Sequence, residues 1–165
     1  MNQMERFRQL PPVDLQEMIG LWKGRGIPSG HPLDGVLENL GWFGKRFSAE
    51  MRADALLFRA GQKCLIPIDP AWVPLRFALR IHRLGRAQAL SNLFPYLLPW
   101  MRARGSVASL ESQPFQGVMS AAMIYDKQPI VDHFRKIGDG HVMGTMVING
   151  DDRFYFFELK RVEEG

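Results

Sequence analysis

The stretch YDKQPIVDHFR, residues 125–135, concentrates side chains that could perform acid–base chemistry or hold a polar group of a ligand. If this stretch forms a strand, alternation places Asp132 on one face and His133 and Arg135 on the other. A carboxylate or imidazole that faces an apolar interior needs a hydrogen-bonding partner, for which Tyr125 and Arg135 are candidates. Three interpretations stay open: a satisfied structural pair, contacts to a ligand head group, and acid–base catalysis.

A second candidate is GLWKGRGIPSGHPLDG, residues 20–35, which is rich in glycine. It contains no Gly-Lys-Ser or Gly-Lys-Thr sequence, so a phosphate-binding loop is disfavoured. A steric interpretation is preferred, in which Trp22 plugs the core and Gly20 and Gly24 allow close approach of the backbone.

His31 and Asp34 lie three residues apart in the same stretch, where a helix is expected to begin. A capping role is favoured, because Pro32 suits the first helical position and a carboxylate in the first turn complements the helix dipole. A position facing a pocket is the alternative for both side chains.

A metal centre and a nucleophilic cysteine are both disfavoured. The four histidines, at 31, 82, 133 and 141, are scattered and form no H-x-x-x-H pair. The single cysteine, Cys64, lies among apolar residues and is interpreted as a core side chain. A lone cysteine excludes an internal disulfide framework and suits a reducing compartment. No cofactor is indicated.

Three zones must position these residues. In residues 1–69, the predicted elements are a helix in MERFRQL, a helical turn followed by a strand at 20–27, a helix in HPLDGVLENLGW, and strands in GKRFSAE and ALLFRAGQKCLIPID. Residues 70–104 have apolar stripes of helical spacing beside an arginine stripe. Residues 105–161 form a run of strands with short separators, which predicts an antiparallel meander.

Two predicted strands, GVMSAAMIY and HVMGTMVI, are apolar on both faces. An open sheet with one solvated face would alternate polar and apolar residues, so both faces must be covered. A barrel with amphipathic helices packed on or over it meets this requirement. Its interior is expected to be lined by aromatic side chains and by the methionines Met119, Met123, Met143 and Met146.

Length, charge and hydropathy limit the classes of protein. A chain of 165 residues fits a single domain, residues 1–165. No run of eighteen apolar residues or apolar leader is present, which favours a cytoplasmic protein. The net charge is +4, and no acid lies between Asp69 and Glu111. The arginines at 76–104 either form a solvated helix face or attach to an anionic membrane surface. No nucleic-acid-reading module is recognised.

The sequence resembles a known family at both ends. Residues 20–24, GLWKG, match the GXWXG motif of a small bacterial domain family, and IPSGHPLDGVLENLGWFGKRF also resembles it. The stretch that ends in MIYDKQPIVDHFRKI is similar to the domain of unknown function that usually follows. The resemblance implies an α+β, mainly antiparallel, lipocalin-like or calycin-like β-barrel. Its parts are a GXWXG part at 15–69, a helical insert at 70–104 and a C-terminal meander at 105–161. It implies no established activity.

We therefore expect a binding protein, with no catalytic residues assigned, that holds a hydrophobic small molecule such as a lipid or a fatty acyl chain in the cavity of the barrel. The alternatives are a cofactor-independent lyase or isomerase and a structural dimerisation module. The chain would be a monomer or homodimer. The candidate ligand-binding residues are His31, Asp34, Trp42, Met119, Met123, Tyr125, Asp132, His133, Arg135 and Met146.

Overall fold

The computed structural model describes residues 1–61, 64–72 and 96–163. These residues form a mainly antiparallel, strand-rich α+β structure with few helices. The described part of the chain contains nine strands. They are β1 (Gly20–Ile27), β2 (Trp42–Phe47), β3 (Arg52–Ala60), β4 (Cys64–Pro67), β5 (Ala108–Phe115), β6 (Val118–Tyr125), β7 (Ile130–Gly138), β8 (His141–Ile148) and β9 (Phe154–Arg161).

The first two helices, α1 (Gln3–Gln9) and α2 (Leu15–Met18), begin at capping boxes. In each, the N-cap side chain accepts from a backbone amide of the first turn, and a glutamate bonds back to the N-cap amide. The helix and the turn predicted for this region are therefore confirmed.

The third helix is shorter than the sequence predicts. Only α3 (Val36–Asn39) is helical, and Gly35 before it has a φ of 77°. The carboxylate of Asp34 accepts from the backbone amides of Ser29, Gly30 and His31, at 2.9, 2.8 and 3.0 Å. Because Asp34 holds this loop instead of the first helical turn, the expected helix start at Pro32 is wrong.

The strand pairings close eight strands into a ring. The order β2-β1-β9-β8-β7-β6-β5-β3 is completed by pairing of β2 with β3. β4 pairs with the second half of β3, whereas β5 pairs with its first two residues. Every pairing is antiparallel. The run from β5 to β9 is the meander that the short separators predict.

Both faces of β6 and β8 are largely buried, as the apolar pattern of these two strands requires. The larger core cluster includes inward side chains such as Met123, Phe134 and Phe157. A second cluster lies on the opposite face, where Phe7 of α1 packs with Met143 and Phe156. Met143 therefore does not line the interior, contrary to the sequence expectation.

Two other sequence interpretations are also corrected. Met119 has the inward parity of β6, but it lies at the end of the strand and is 59% exposed. Cys64 begins the short strand β4 and is exposed, so it is not a core cysteine. The alternation of side chains along a strand does not show where the strand ends, nor which strands lie at the rim of the sheet.

Trp22 is almost completely buried in the larger core cluster. Its indole Nε1 donates to the carbonyl of Met18 at 2.7 Å, and the guanidinium of Arg161 lies 4.6 Å from the ring centroid. Two glycines are needed for space: a Cβ on Gly24 of the motif would overlap the indole of Trp42, and a Cβ on Gly44 of β2 would overlap the carbonyl oxygen of Trp22. The steric interpretation of the glycine-rich stretch is thereby supported.

The predicted helical zone at 70–104 is described only at its ends. Pro70–Trp72 and Leu98–Met101 form 3-10 turns. The apolar and arginine stripes between them lie largely outside the described residues. Within the described ranges, no helix combines the length and apolarity needed to cross a membrane.

Candidate functional site

A buried ion pair lies inside the ring. Lys45 of β2 and Asp132 of β7 are 3% and 1% exposed, and Lys45 Nζ is 3.0 Å from Asp132 Oδ2. The same ammonium donates to the carbonyl of Ala55 at 2.9 Å and contacts the hydroxyl of Tyr125 at 3.5 Å. Tyr125 donates in turn to Asp132 Oδ2 at 3.4 Å. We call Lys45, Tyr125 and Asp132 the interior cluster.

Aromatic rings surround the amine of the interior cluster. Lys45 Nζ lies 5.8, 5.8 and 5.2 Å from the ring centroids of Trp42, Tyr125 and Phe157. Such contacts stabilise a cation that has lost most of its water. The surroundings of the amine are therefore largely apolar.

Burial controls the electrostatics of the interior cluster. Burial raises the pKa of Asp132, and the nearby Lys45 ammonium opposes this rise. The pKa of Tyr125 is raised well above its ordinary value by burial and by the Asp132 carboxylate. Burial and the carboxylates of Glu38, Asp34 and Asp132 also raise the pKa of Tyr155.

Not every polar atom of this region is satisfied. Within the described part of the chain, Asp132 Oδ1 and the Tyr155 hydroxyl are buried and have no hydrogen-bond partner. A buried carboxylate oxygen without a donor is costly. The interior cluster therefore retains an unused acceptor, Asp132 Oδ1, for one further hydrogen-bond donor.

A pocket of about 420 Å³ opens beside the interior cluster, and Tyr125 contributes to its lining. We call it the mouth pocket, because its lining residues lie at and beyond the end of the ring where β6 ends. It is formed by three short segments of chain, within residues 69–72, 100–107 and 125–128. The lining residues are Asp69, Pro70, Ala71, Trp72, Trp100, Arg102, Arg104, Gly105, Ser106, Val107, Tyr125, Asp126, Lys127 and Gln128.

The mouth pocket combines exposed aromatic walls with basic side chains. Trp72 and Trp100 are 61% and 82% exposed. Arg102 and Arg104 belong to none of the ion pairs formed between described residues. By contrast, the Asp126 carboxylate is paired with Arg52 outside the pocket. The pocket is thus suited to an apolar body that carries a negative group.

Five of the sequence-predicted site residues come together in the ring interior. Trp42 contacts the Lys45 ammonium, and Tyr125 and Asp132 belong to the interior cluster. Met123 and Met146 are the register partners of Asp132 on the two neighbouring strands. His31 approaches the same interior from the loop before α3, where its ring lies 5.6 Å from that of Tyr155.

Four other predicted residues lie elsewhere. Asp34 organises its own loop, and Met119 is exposed at the far end of β6. His133 and Arg135 lie on the outer face of β7, where the His133 ring stacks on Phe115 at 4.0 Å. Tyr125, Asp132, His133 and Arg135 therefore do not form the single catalytic group considered for a lyase or isomerase.

Sequence reasoning missed the amine at the centre of the site. Lys45 lies two residues before the buried Phe47, so alternation along β2 was a usable signal for an inward lysine. Tyr155 alternates in the same way with the inward Phe157. No sequence signal identified the lining of the mouth pocket, because its segments meet only in the tertiary structure.

The family comparisons match the two ends of the chain. Residues 5–63 match the family model described as GXWXG protein, and residues 106–161 match the Domain of unknown function (DUF4334). The chain thus consists of a GXWXG segment followed by a DUF4334 segment. Its two matched segments build one ring, since β1 pairs with β9 and β3 pairs with β5. The resemblance seen in the sequence is confirmed.

A solved structure has a similar fold. The crystal structure of a protein from Thermomonospora curvata superposes with a TM-score of 0.69 at 30% identity, covering 97% of this chain and 85% of that chain. A search of curated protein sequences finds no match. These GXWXG comparisons attach no ligand or reaction to the site.

Proposed function

We propose that this GXWXG protein is a lipocalin-like barrel that binds an apolar small molecule, such as a fatty acyl chain with an anionic head, in the mouth pocket. The observation that carries this proposal is the pairing of the Trp72 and Trp100 walls with Arg102 and Arg104, which lack ion-pair partners within the described residues. An apolar body with one charged group is the ligand chemistry that such a lining favours.

The packing of the ring favours a ligand in the mouth pocket rather than at the centre of the ring. Trp22, Phe134 and Phe157 are almost completely buried and fill the interior with aromatic rings. The guanidiniums of Arg102 and Arg104 would hold a carboxylate or phosphate by charge-assisted hydrogen bonds. Tyr125 would form the boundary between the ligand and the interior cluster.

We also propose that the mouth pocket faces an anionic membrane surface, from which its ligand is taken. Tyr96 and Leu97 are 78% and 47% exposed and lie close in sequence to Trp100. Exposed tryptophan and tyrosine beside arginine are typical of side chains that lie at a lipid interface. The sequence stripe at 76–86 adds four arginines, which lie outside the described residues. The protein would accordingly be cytoplasmic and attach to the membrane peripherally.

The direct test is binding of oleate to delipidated protein, measured by native mass spectrometry and titration calorimetry. We expect a one-to-one complex that weakens when Trp72 and Trp100 are replaced by alanine. The double change Arg102→Gln with Arg104→Gln should also weaken oleate binding, whereas oleyl alcohol should bind this variant and the wild type alike. Arg25→Gln is the matched control, because Arg25 is exposed on β1.

The membrane component is tested by co-sedimentation with vesicles of phosphatidylglycerol or of phosphatidylcholine. Binding should favour the anionic vesicles and should decrease with salt. Absence of oleate binding by the wild type would overturn the proposed function. Equal binding to both vesicle types would overturn the membrane component alone.

A further inference from the structure

The interior cluster has features that a purely structural ion pair does not require. One carboxylate oxygen of Asp132 is buried without a donor among the described residues. The Lys45 amine is surrounded by three aromatic rings. Replacing a buried ion pair by apolar residues is often neutral or stabilising, so stability alone does not explain its presence.

Tyr125 connects this cluster to the mouth pocket. Tyr125 is one of the residues that line the pocket, and its hydroxyl lies 3.5 Å from Lys45 Nζ. A ligand whose apolar body occupies the pocket would therefore approach the amine from the side of Tyr125. The amine, a carboxyl group and a phenol then stand together at the inner end of the bound molecule.

We propose that Lys45 forms an imine with an aldehyde or ketone carried by an apolar molecule bound in the mouth pocket. Buried lysines in apolar surroundings are suited to this chemistry, because the neutral amine is the nucleophile. The inference rests on the proposed function for access to the amine, and it names a carbonyl compound as the ligand class.

The reaction balances with groups that the chain supplies. The Lys45 ammonium passes one proton to Asp132, and the neutral amine attacks the carbonyl carbon. A C=N bond replaces the C=O bond, and the carbonyl oxygen leaves as water with the two remaining protons of the amine. The products are a neutral imine and a protonated Asp132. Their net charge is zero, as is that of the initial ion pair.

Each neighbouring group has a defined part in that step. Asp132 lies 3.0 Å from Nζ, within reach of the transferred proton. Burial raises the pKa of Asp132 and so favours its protonated form. The Tyr125 hydroxyl lies beside both groups and can donate a hydrogen bond to the carbonyl oxygen as negative charge develops on it.

The test is reductive trapping of wild-type protein with limiting decanal and cyanoborohydride, followed by peptide mass spectrometry. We expect alkylation of Lys45 before that of the exposed Lys23, Lys127 and Lys160. Glyoxylate, an aldehyde without an apolar body, should label the exposed lysines first. If decanal labels those exposed lysines while Lys45 stays unmodified, the inference is overturned.

Variants and a competitor separate this inference from the proposed function. Tyr125→Phe and Asp132→Asn should slow labelling of Lys45 by about 10²-fold and leave the exposed lysines unchanged, as loss of a general acid or base does. An unchanged rate in folded Tyr125→Phe would overturn the role given to that hydroxyl. Decanoate should block labelling of Lys45 by occupying the pocket. If decanoate binds but decanal does not label Lys45, the imine fails and the binding function stands; if neither occurs, both fail.

Discussion

The inner and outer faces of β7 each bury an ionisable side chain, but the two side chains have different kinds of partner. On the inner face, Asp132 lies in a ring interior, paired with one lysine and left with one unpartnered oxygen among the described residues. On the outer face, Arg135 is equally buried, but its guanidinium donates to the backbone carbonyls of Leu10 and Phe115 at 2.9 and 3.0 Å and lies over the Phe7 ring.

This difference separates a structural role from a functional one. Arg135 is held by fixed backbone acceptors that tie the N-terminal segment to the sheet, and those contacts exclude a ligand. Asp132 has two side-chain partners among the described residues, Lys45 and Tyr125, and Tyr125 is one of the residues that line the mouth pocket. Burial alone therefore does not distinguish the two roles, whereas the kind of partner does.

The largest effect should follow from removing the inner carboxylate. Asp132→Leu leaves the Lys45 ammonium buried without its counter-ion, which should lower the free energy of unfolding by about 3–5 kcal/mol. Adding Lys45→Met should recover most of this loss, because the pair is then replaced by apolar side chains. Urea denaturation measures both changes. If Asp132→Leu alone is as stable as the wild type, the ion pair is not formed.

The second prediction compares two methionines that share the inward parity of β6. Met123 is completely buried, so Met123→Ala should cost about 3 kcal/mol by leaving a cavity. Met119→Ala should change the free energy of unfolding by less than about 0.5 kcal/mol, because Met119 is largely exposed. Thermal unfolding of the two variants side by side tests this contrast, and equal losses would contradict the exposed position of Met119.

The third prediction concerns the outer face. Arg135→Met keeps the contact with Phe7 but leaves the carbonyls of Leu10 and Phe115 without their donor. We expect a loss of about 2 kcal/mol in the free energy of unfolding, since these are hydrogen bonds to a charged group. Oleate binding should be unaffected. A variant that keeps its stability but loses oleate would transfer Arg135 from a structural to a binding role.

The smallest effect is a pH dependence that comes from His133. Burial, and to a lesser degree Arg135, lowers the pKa of His133 from 6.5 to about 4. Between pH 6.5 and pH 4 the unfolded chain binds the His133 proton more readily than the folded chain does. The contribution of His133 to the free energy of unfolding is therefore complete above pH 6.5 and is lost as the pH falls towards 4. We expect a loss of about 1–2 kcal/mol, reduced by the partial exposure of the ring.

His133→Phe is the matched control for this dependence, because it keeps the stacking on Phe115 and removes the titrating group. Unfolding free energies at pH 7 and pH 4.5 should differ less in the variant than in the wild type. Parallel pH profiles for the two proteins would show that His133 is already solvated in the folded state.

Much of the fold was predictable from local patterns. Short turns between apolar runs predicted the meander from β5 to β9, and apolar residues on both faces predicted that both would be covered. The helix at Pro32 was wrong because Asp34 bonds to three preceding amides, a loop arrangement that competes with a helical turn. Exposed Cys64 shows that neighbouring apolar residues do not determine burial at the rim of a sheet.

The site was predictable only in part. Asp132 and Tyr125 were identified because residues 125–135 concentrate ionisable side chains, and Met123 because methionine adapts to an irregular apolar ligand. Lys45 was missed, although its spacing from Phe47 was informative, because its partner is 87 residues away on another strand. The proximity of such a pair depends on ring closure and not on local spacing.

The sequence by itself determined the family, the strand periodicity, and which residues of β7 share a face. The tertiary structure decided which of those faces is the interior, since closure through the β1–β9 and β2–β3 pairings surrounds one face while α1 covers the other. It also decided that Asp132 meets Lys45 and that Arg135 meets backbone carbonyls. Alternation fixes a side chain's direction relative to its own strand, whereas its partners are fixed by contacts between segments distant in the chain.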